Sequence, residues 1–220
     1  MPTNPILTMK RPIQFLTLAT TMLWLAGCAS SSVKQTWKAP DNQGGPVKRV
    51  CVLAVDERGL VRKGFENRFV RDFEKLGQPA IVTHDTLSLH EIKANKESAA
   101  ATMSAAGADS VLLVRLVDQT TYDRSVRATG ERYVGVTTGF DNYYGWYDYY
   151  TMAFMDMGTV WSTTKQTLCF DASLFDLKSG RRLWSGLTTT VLKEEADRLE
   201  EADSLVAKIV AAMRQDGMIR

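Results

Sequence analysis

Two apolar runs constrain this chain more than any other feature. Val47 to Val55 (VKRVCVLAV) and Ser110 to Val117 (SVLLVRLV) are nearly continuous in hydrophobic side chains rather than alternating. A strand can be apolar on both faces only when both faces are covered, as inside a sheet with helices above and below. Between the runs, Phe65, Phe69, Phe73 and Leu76 recur at helical spacing, and Gly77 followed by Pro79 ends that helix. Ala80 to Thr83 reads as a short strand, and Glu91 to Ala106 as an Ala-rich helix closed by Gly107. The order β-α-β-α-β predicts an α/β layer with parallel pairing, with α+β as the alternative.

The second half changes style. Thr159 to Leu177 and Arg181 to Leu192 read as strands, joined by Lys178-Ser179-Gly180 as a hairpin turn. On the first arm Leu168, Phe170, Ala172 and Leu174 share one face. Glu194 to Met213 is an amphipathic helix with Leu199, Ala202, Leu205, Val206, Ile209 and Met213 as its stripe. Acidic residues crowd its first turns, where the helix dipole favours them, and a solvated face accounts for them. A single domain over residues 47–220 follows, an antiparallel strand pair and a C-terminal helix completing the β-α-β-α-β start.

Between the halves lies an insert, residues 139–158 (GFDNYYGWYDYYTMAFMDMG), for which no period is evident. Tyr143, Tyr144, Trp146, Tyr147, Tyr149 and Tyr150 crowd together there. Three readings stay open. The aromatics form a protein-contact surface, since Tyr and Trp give large contact area at low entropy cost. They sit at a membrane interface, which suits amphipathic rings. Or they belong to a disordered or domain-covering loop. The first makes these six residues the candidate binding set.

Catalytic signals are weak, and no enzyme is expected. Gly130, Gly135 and Gly139 do not form a phosphate cradle between strand and helix. His84-Asp85 and His90-Glu91 match no established metal-ligand spacing, so neither a metal nor a soluble cofactor is expected. No serine or cysteine stands in an elbow-like context. Asp56 and Glu57 follow a strand at its carboxyl end, where ligands bind in open α/β sheets. With the Phe65 stripe, they would form the pocket of an alternative function, a small-molecule or lipid-binding auxiliary of an envelope transport system.

The amino-terminal region says where the protein works. Lys10 and Arg11 precede an apolar run, Phe15 to Leu25, which ends in Leu25-Ala26-Gly27-Cys28. A basic start, a short apolar stretch and a small-residue cleavage site make an export signal over residues 1–27. A plain secretory signal or a membrane anchor is the alternative, but the run falls well short of the roughly 20 residues a spanning helix needs. The last four residues resemble the lipobox of bacterial lipoproteins. That resemblance implies a diacylglycerol on the Cys28 thiol, cleavage in front of Cys28, and acylation of the new amine. Ala29, in place of an Asp that would resemble an inner-membrane retention signal, implies outer-membrane sorting with the domain facing the periplasm. Met9, beside Lys10 and Arg11, is the expected translation start.

The formal net charge of +2 comes from 27 Lys and Arg against 25 Asp and Glu. Cleavage removes Lys10 and Arg11 and leaves the mature chain neutral. No basic block appears, so nucleic-acid binding has no electrostatic support. Ala29 to Pro46 is polar and rich in Ser, Gly and Pro, which makes residues 28–46 a lipidated tether. Such a tether reaches roughly 60 Å extended and about 25 Å as a coil. Trp37 is its odd residue, a candidate to dock onto the domain. Cys51 and Cys169 lie in strand-like runs and read as small buried core residues, a disulfide between them being the alternative in an oxidising compartment.

Several phrases carry a wider resemblance: Thr36-Trp37-Lys38, VKRVCVLAV, Phe65-Glu66, Gly107-Ala108-Asp109 before SVLLVRL, Leu174-Phe175-Asp176, Leu183-Trp184-Ser185-Gly186 and Asp216-Gly217-Met218-Ile219. Over most of residues 36–219 the chain resembles small bacterial envelope lipoproteins with a Tyr-rich stretch before the last strand pair. More distantly it is similar to the curli-secretion lipoprotein, the TolB amino-terminal domain and lipoprotein activators of cell-wall synthases. The resemblance implies a domain that binds an envelope protein and scaffolds envelope components, and supplies no catalytic residues.

Overall fold

The computed structural model describes residues 31–40, 42, 45–117, 145–151, 153, 167–191 and 198–220. The export signal, Met9, Cys28, Tyr143 and Tyr144 lie outside the described residues, as does most of the 139–158 insert.

Among the described residues, one mixed sheet of six strands organises the fold. In chain order these are β1 (Ser31–Lys38), β2 (Val50–Ala54), β3 (Ala80–Val82), β4 (Ser110–Val117), β5 (Thr167–Asp176) and β6 (Arg182–Val191). Across the sheet the order is β1-β6-β5-β4-β2-β3. β2 runs parallel to both β3 and β4, and the remaining neighbours are antiparallel. The fold is α/β, with the parallel half placed where the two apolar runs required it. β2 and the Val111–Val114 core of β4 are buried throughout.

Helices cover one face with residues that alternate along each strand. α1 (Gly59–Lys75) and α4 (Arg198–Gln215) lie over Val50, Val52, Leu112, Val114, Phe170, Ala172, Leu174 and Trp184. Phe69 and Phe73 of α1 are fully buried there, so the phenylalanine stripe is core rather than a pocket wall. Phe65 packs on Phe170 with ring centroids 5.5 Å apart. The carboxyl end of the chain closes this core. Met218 and Ile219 are 1% and 2% exposed, and Val47 N–H donates to the Met218 carbonyl at 2.9 Å.

The other face is covered by α2 (Leu89–Ala94), α3 (Lys96–Ala105) and a helical stretch at 146–151. The single helix expected over 91–106 is two. Asn95 is extended (φ −149°), ends α2, and caps α3 by accepting from Ser98 N–H at 2.9 Å. A short polar side chain that can serve the backbone in this way is a boundary residue. α2 begins with a capping box in which the Ser88 side chain serves Glu91 N–H and the Glu91 carboxylate serves Ser88 N–H. Gly77 (φ 72°) and Gly107 (φ 82°) take the left-handed conformation that ends α1 and α3, as their positions in the sequence predicted.

The first strand corrects the expected tether. Ser31–Lys38 is not a polar lead but an edge strand, paired antiparallel with β6 from Ser31↔Thr190 to Lys38↔Trp184. Lys34, Thr36 and Lys38 are exposed while Val33, Gln35 and Trp37 are half-buried. A bulge between Val33 and Gln35, together with the two lysines, blunts the free edge against further pairing. Trp37 thus docks onto the domain as a member of the sheet.

Cys51 and Cys169 are buried at opposite ends of the strands. Cys51 pairs with Val111, and Cys169 with Val117, six positions along β4, or about 20 Å. A bond between them would need Cα atoms within about 7 Å, so the reading as core residues holds.

Candidate functional site

Three places bring polar or aromatic residues together. The first is the carboxyl end of β2 and β3, where the sequence pointed to Asp56 and Glu57. Asp56 is consumed locally: its carboxylate accepts from Arg58 N–H at 2.9 Å and pairs with the guanidinium at 3.1 Å. The centre is instead Glu66, on the buried face of α1 and 0% exposed. Its carboxylate accepts from Arg62 Nε at 2.9 Å, from the backbone N–H groups of Ala54, Thr83 and His84, and lies 2.9 Å from His84 Nδ1. Arg62 also donates to Thr83 Oγ1 and to the Leu87 carbonyl.

This arrangement ties helix, strand end and loop together. Every charge in it is met by hydrogen bonds, as a buried ion pair requires. Its role is to hold β2, β3 and the 83–87 turn in register. The sequence signal was available: Glu66 falls on the Phe69 and Phe73 face, four residues after Arg62. His90 is exposed. Among the described residues, no group of three or more His, Cys, Asp or Glu could hold a metal ion.

The second place is the described part of the aromatic segment, where three of the six residues expected at a contact surface face the core. Trp146, Tyr149 and Tyr150 are 1%, 2% and 0% exposed, and Tyr147 is half-buried. Together with Ala153 they pack on Leu53, Val111, Leu113, Phe175 and α2–α3. Three phenols and the Trp146 main-chain N–H find internal acceptors. Trp146 N–H donates to the Gly180 carbonyl at 3.0 Å, Tyr147 Oη to Lys93 O at 2.6 Å, Tyr150 Oη to Leu89 O and Tyr149 Oη to Asp171. Its described residues cover the domain, in line with the third of the open readings. Its period was present: Trp146, Tyr149, Tyr150 and Ala153 follow the i, i+3, i+4, i+7 pattern of one helix face.

Beneath it lie charged residues inside the apolar strands. Arg115 on β4 faces Asp171 on β5, with Nε 3.7 Å from Oδ2, and both are buried. The Arg115 and Arg182 guanidiniums sit 5.3 and 5.2 Å from the centre of the Tyr149 ring, a favourable arrangement of cation and π face. Burial, and then the Asp171 carboxylate, push the Tyr149 phenol well above its usual range. Burial does the same to Tyr150. Cys51 is pushed up to about 12, by burial first and by Glu66 second. These phenols and this thiol stay protonated at neutral pH, so they pack and donate rather than attack.

The third place is the end of the sheet from which β1 starts. Ser31 lies three residues after Cys28 and is tied at once to its neighbours. Its hydroxyl accepts from Thr190 Oγ1 at 3.0 Å, and its carbonyl accepts from Lys208. β4 ends and β5 begins at this same end, in the row Val117, Cys169 and Thr189 beside Ser32. No described helix is long and apolar enough to cross a membrane.

Comparison with known proteins adds a distant likeness of fold. No family model matches the chain, and no curated protein does. Among solved structures, the chain is similar to the PelC dodecamer from Paraburkholderia phytofirmans, at 12% identity and a TM-score of 0.45, over 86% of this chain and 99% of that one. A point variant of the same dodecamer is similar at 11% identity and a TM-score of 0.43, over 82% of this chain and 94% of the other. No family follows from similarity at this level.

Proposed function

We propose that the chain is an outer-membrane lipoprotein, anchored through acyl chains on Cys28, whose periplasmic α/β domain binds or scaffolds other envelope components without catalysing a reaction. The observation that carries this reading is the Leu25-Ala26-Gly27-Cys28 sequence standing three residues before the first strand of the sheet. An export signal followed directly by a folded domain, attached through lipidated cysteine, makes a protein that works at the membrane surface. Two or three acyl chains together hold a protein there almost irreversibly, where one would hold marginally.

A non-catalytic role is supported by how the reactive groups are spent. Glu66, Asp56, Tyr149 and Cys51 each serve packing or internal hydrogen bonds. The binding surface moves away from Trp146, Tyr149 and Tyr150, which face the core. The test is metabolic labelling with radioactive palmitate, followed by membrane fractionation. Wild type takes up label and sediments with outer membranes, while Cys28→Ser does neither. An unlabelled wild type overturns the proposal.

A further inference from the structure

We propose that the end of the sheet bearing Ser31 lies against the bilayer and that Leu60, at the same end, enters the lipid and fixes the tilt of the domain. This rests on the lipid anchor at Cys28. Only Ala29 and Ser30 separate the acylated residue from β1. Three Cα–Cα steps span at most about 11 Å, so Ser31 cannot rise above the headgroup region by more than that. A tether of 28–46 would have let the domain tumble; one of two residues does not.

A single attachment point still leaves tilt free, and a second contact removes that freedom. β2 is parallel to β4 and antiparallel to β5, so its carboxyl end points the same way as the start of β1. From there the chain turns through Asp56 and Arg58 into α1. Leu60, in the first turn of α1, is 89% exposed, and it is the large hydrophobic residue that stands out on the described surface. The α1 stripe does not use it; that helix buries Phe69 and Phe73 instead. β1 and β2 are four strands apart in the sheet order, which sets the start of β1 and the end of β2 about 19 Å from each other across the sheet. Exposed Lys63, one turn on from Leu60, suits the level of lipid phosphates, while the Arg58 guanidinium is paired with Asp56. The β5–β6 turn, with exposed Lys178 and Ser179, lies at the opposite end and points away from the membrane.

The test uses the full, exported chain purified from membranes and placed in phosphatidylethanolamine–phosphatidylglycerol vesicles. An environment-sensitive fluorophore is attached at Leu60→Cys, and separately at Lys178→Cys; buried Cys51 and Cys169 resist labelling. Intact mass establishes whether Cys28 is acylated in each sample. The expected result is a blue shift at position 60 and about twofold or greater quenching by lipids carrying a quencher, with neither effect at position 178. Acylated protein whose probe at 60 remains water-exposed overturns this inference alone. Protein without acyl mass overturns the anchor and this inference together.

Discussion

Thr190 donates to the Ser31 hydroxyl across the β1–β6 pair at 3.0 Å, and this contact makes the amino-terminal lead part of the sheet. Deleting residues 31–38 therefore removes a strand rather than slack. β6 would lose its outer partner, and buried Ser31 and half-buried Trp37 would leave the structure. A loss of about 3 kcal/mol or more is expected, which lowers the melting temperature by roughly 10 °C for a domain of this size. A slack tether predicts no change, and circular dichroism melting separates the two.

Trp184 and Gly186 make a second, tightly packed pair. The indole, fully buried and donating from Nε1 to Asp216 at 2.7 Å, brings its six-membered ring against Gly186. A Cβ at 186 would meet the ring carbon Cη2 at 2.3 Å. Gly186→Ala should cost about 1–3 kcal/mol, because the ring has nowhere to move. In a Trp184→Leu background the same change should cost far less, a non-additivity that urea titration of both single variants and the double variant will read. Equal costs in the two backgrounds would contradict this packing.

The Arg62–Glu66 pair holds the carboxyl ends of β2 and β3. Glu66→Gln turns one carboxylate oxygen into an amide N–H₂, which then faces either Ala54 N–H and Arg62 at Oε1 or the Thr83 and His84 N–H groups at Oε2, and leaves Arg62, with 8% side-chain exposure, without its counter-charge. Removing one partner of a buried pair costs about 3–5 kcal/mol. Replacing both by apolar residues of similar volume should recover much of that loss, as measured by denaturant midpoints.

Alkaline stability reports the buried thiol and phenols. The Cys51 thiol has a usual value of 9.0 and is pushed to about 12 in the fold. Below about pH 9 both folded and unfolded chains keep this proton, and the group is neutral to stability. As the pH rises further, the unfolded chain releases the proton and the folded chain does not, so stability falls by about 1.4 kcal/mol per pH unit from this group. Tyr149 and Tyr150, also raised, add to the decline above their usual value of 10.0. Cys51→Ala should flatten the lower part of this slope in unfolding titrations between about pH 8 and pH 10. An unchanged slope would mean that the thiol ionises as easily folded as unfolded.

The parts of this fold that were legible in the sequence are those whose pattern has one physical cause. β2 and β4 were visible because only a strand covered on both faces is so continuously apolar, and α1 because its phenylalanines keep helical spacing. β1 was misread because an edge strand needs only one buried row, and SSVKQTWK looks like a polar lead when Pro40 and Pro46 follow. The aromatic segment was misread for the opposite reason. Six large rings drew attention as a composition, while the helical spacing of Trp146, Tyr149, Tyr150 and Ala153 was short and bounded by glycines. Glu66, Arg115 and Asp171 were each visible as charges inside apolar patterns, but their partners come from other elements. Only the register of β4 with β5, and of α1 with the β3 turn, brings them together.

The most direct test of the anchored-domain account is the mass of the amino-terminal peptide from protein extracted out of membranes. The account predicts a mature chain that begins at Cys28 and carries a diacylglyceryl group on sulfur and an acyl group on the new amine. A chain that begins elsewhere, or an unmodified Cys28, would contradict it.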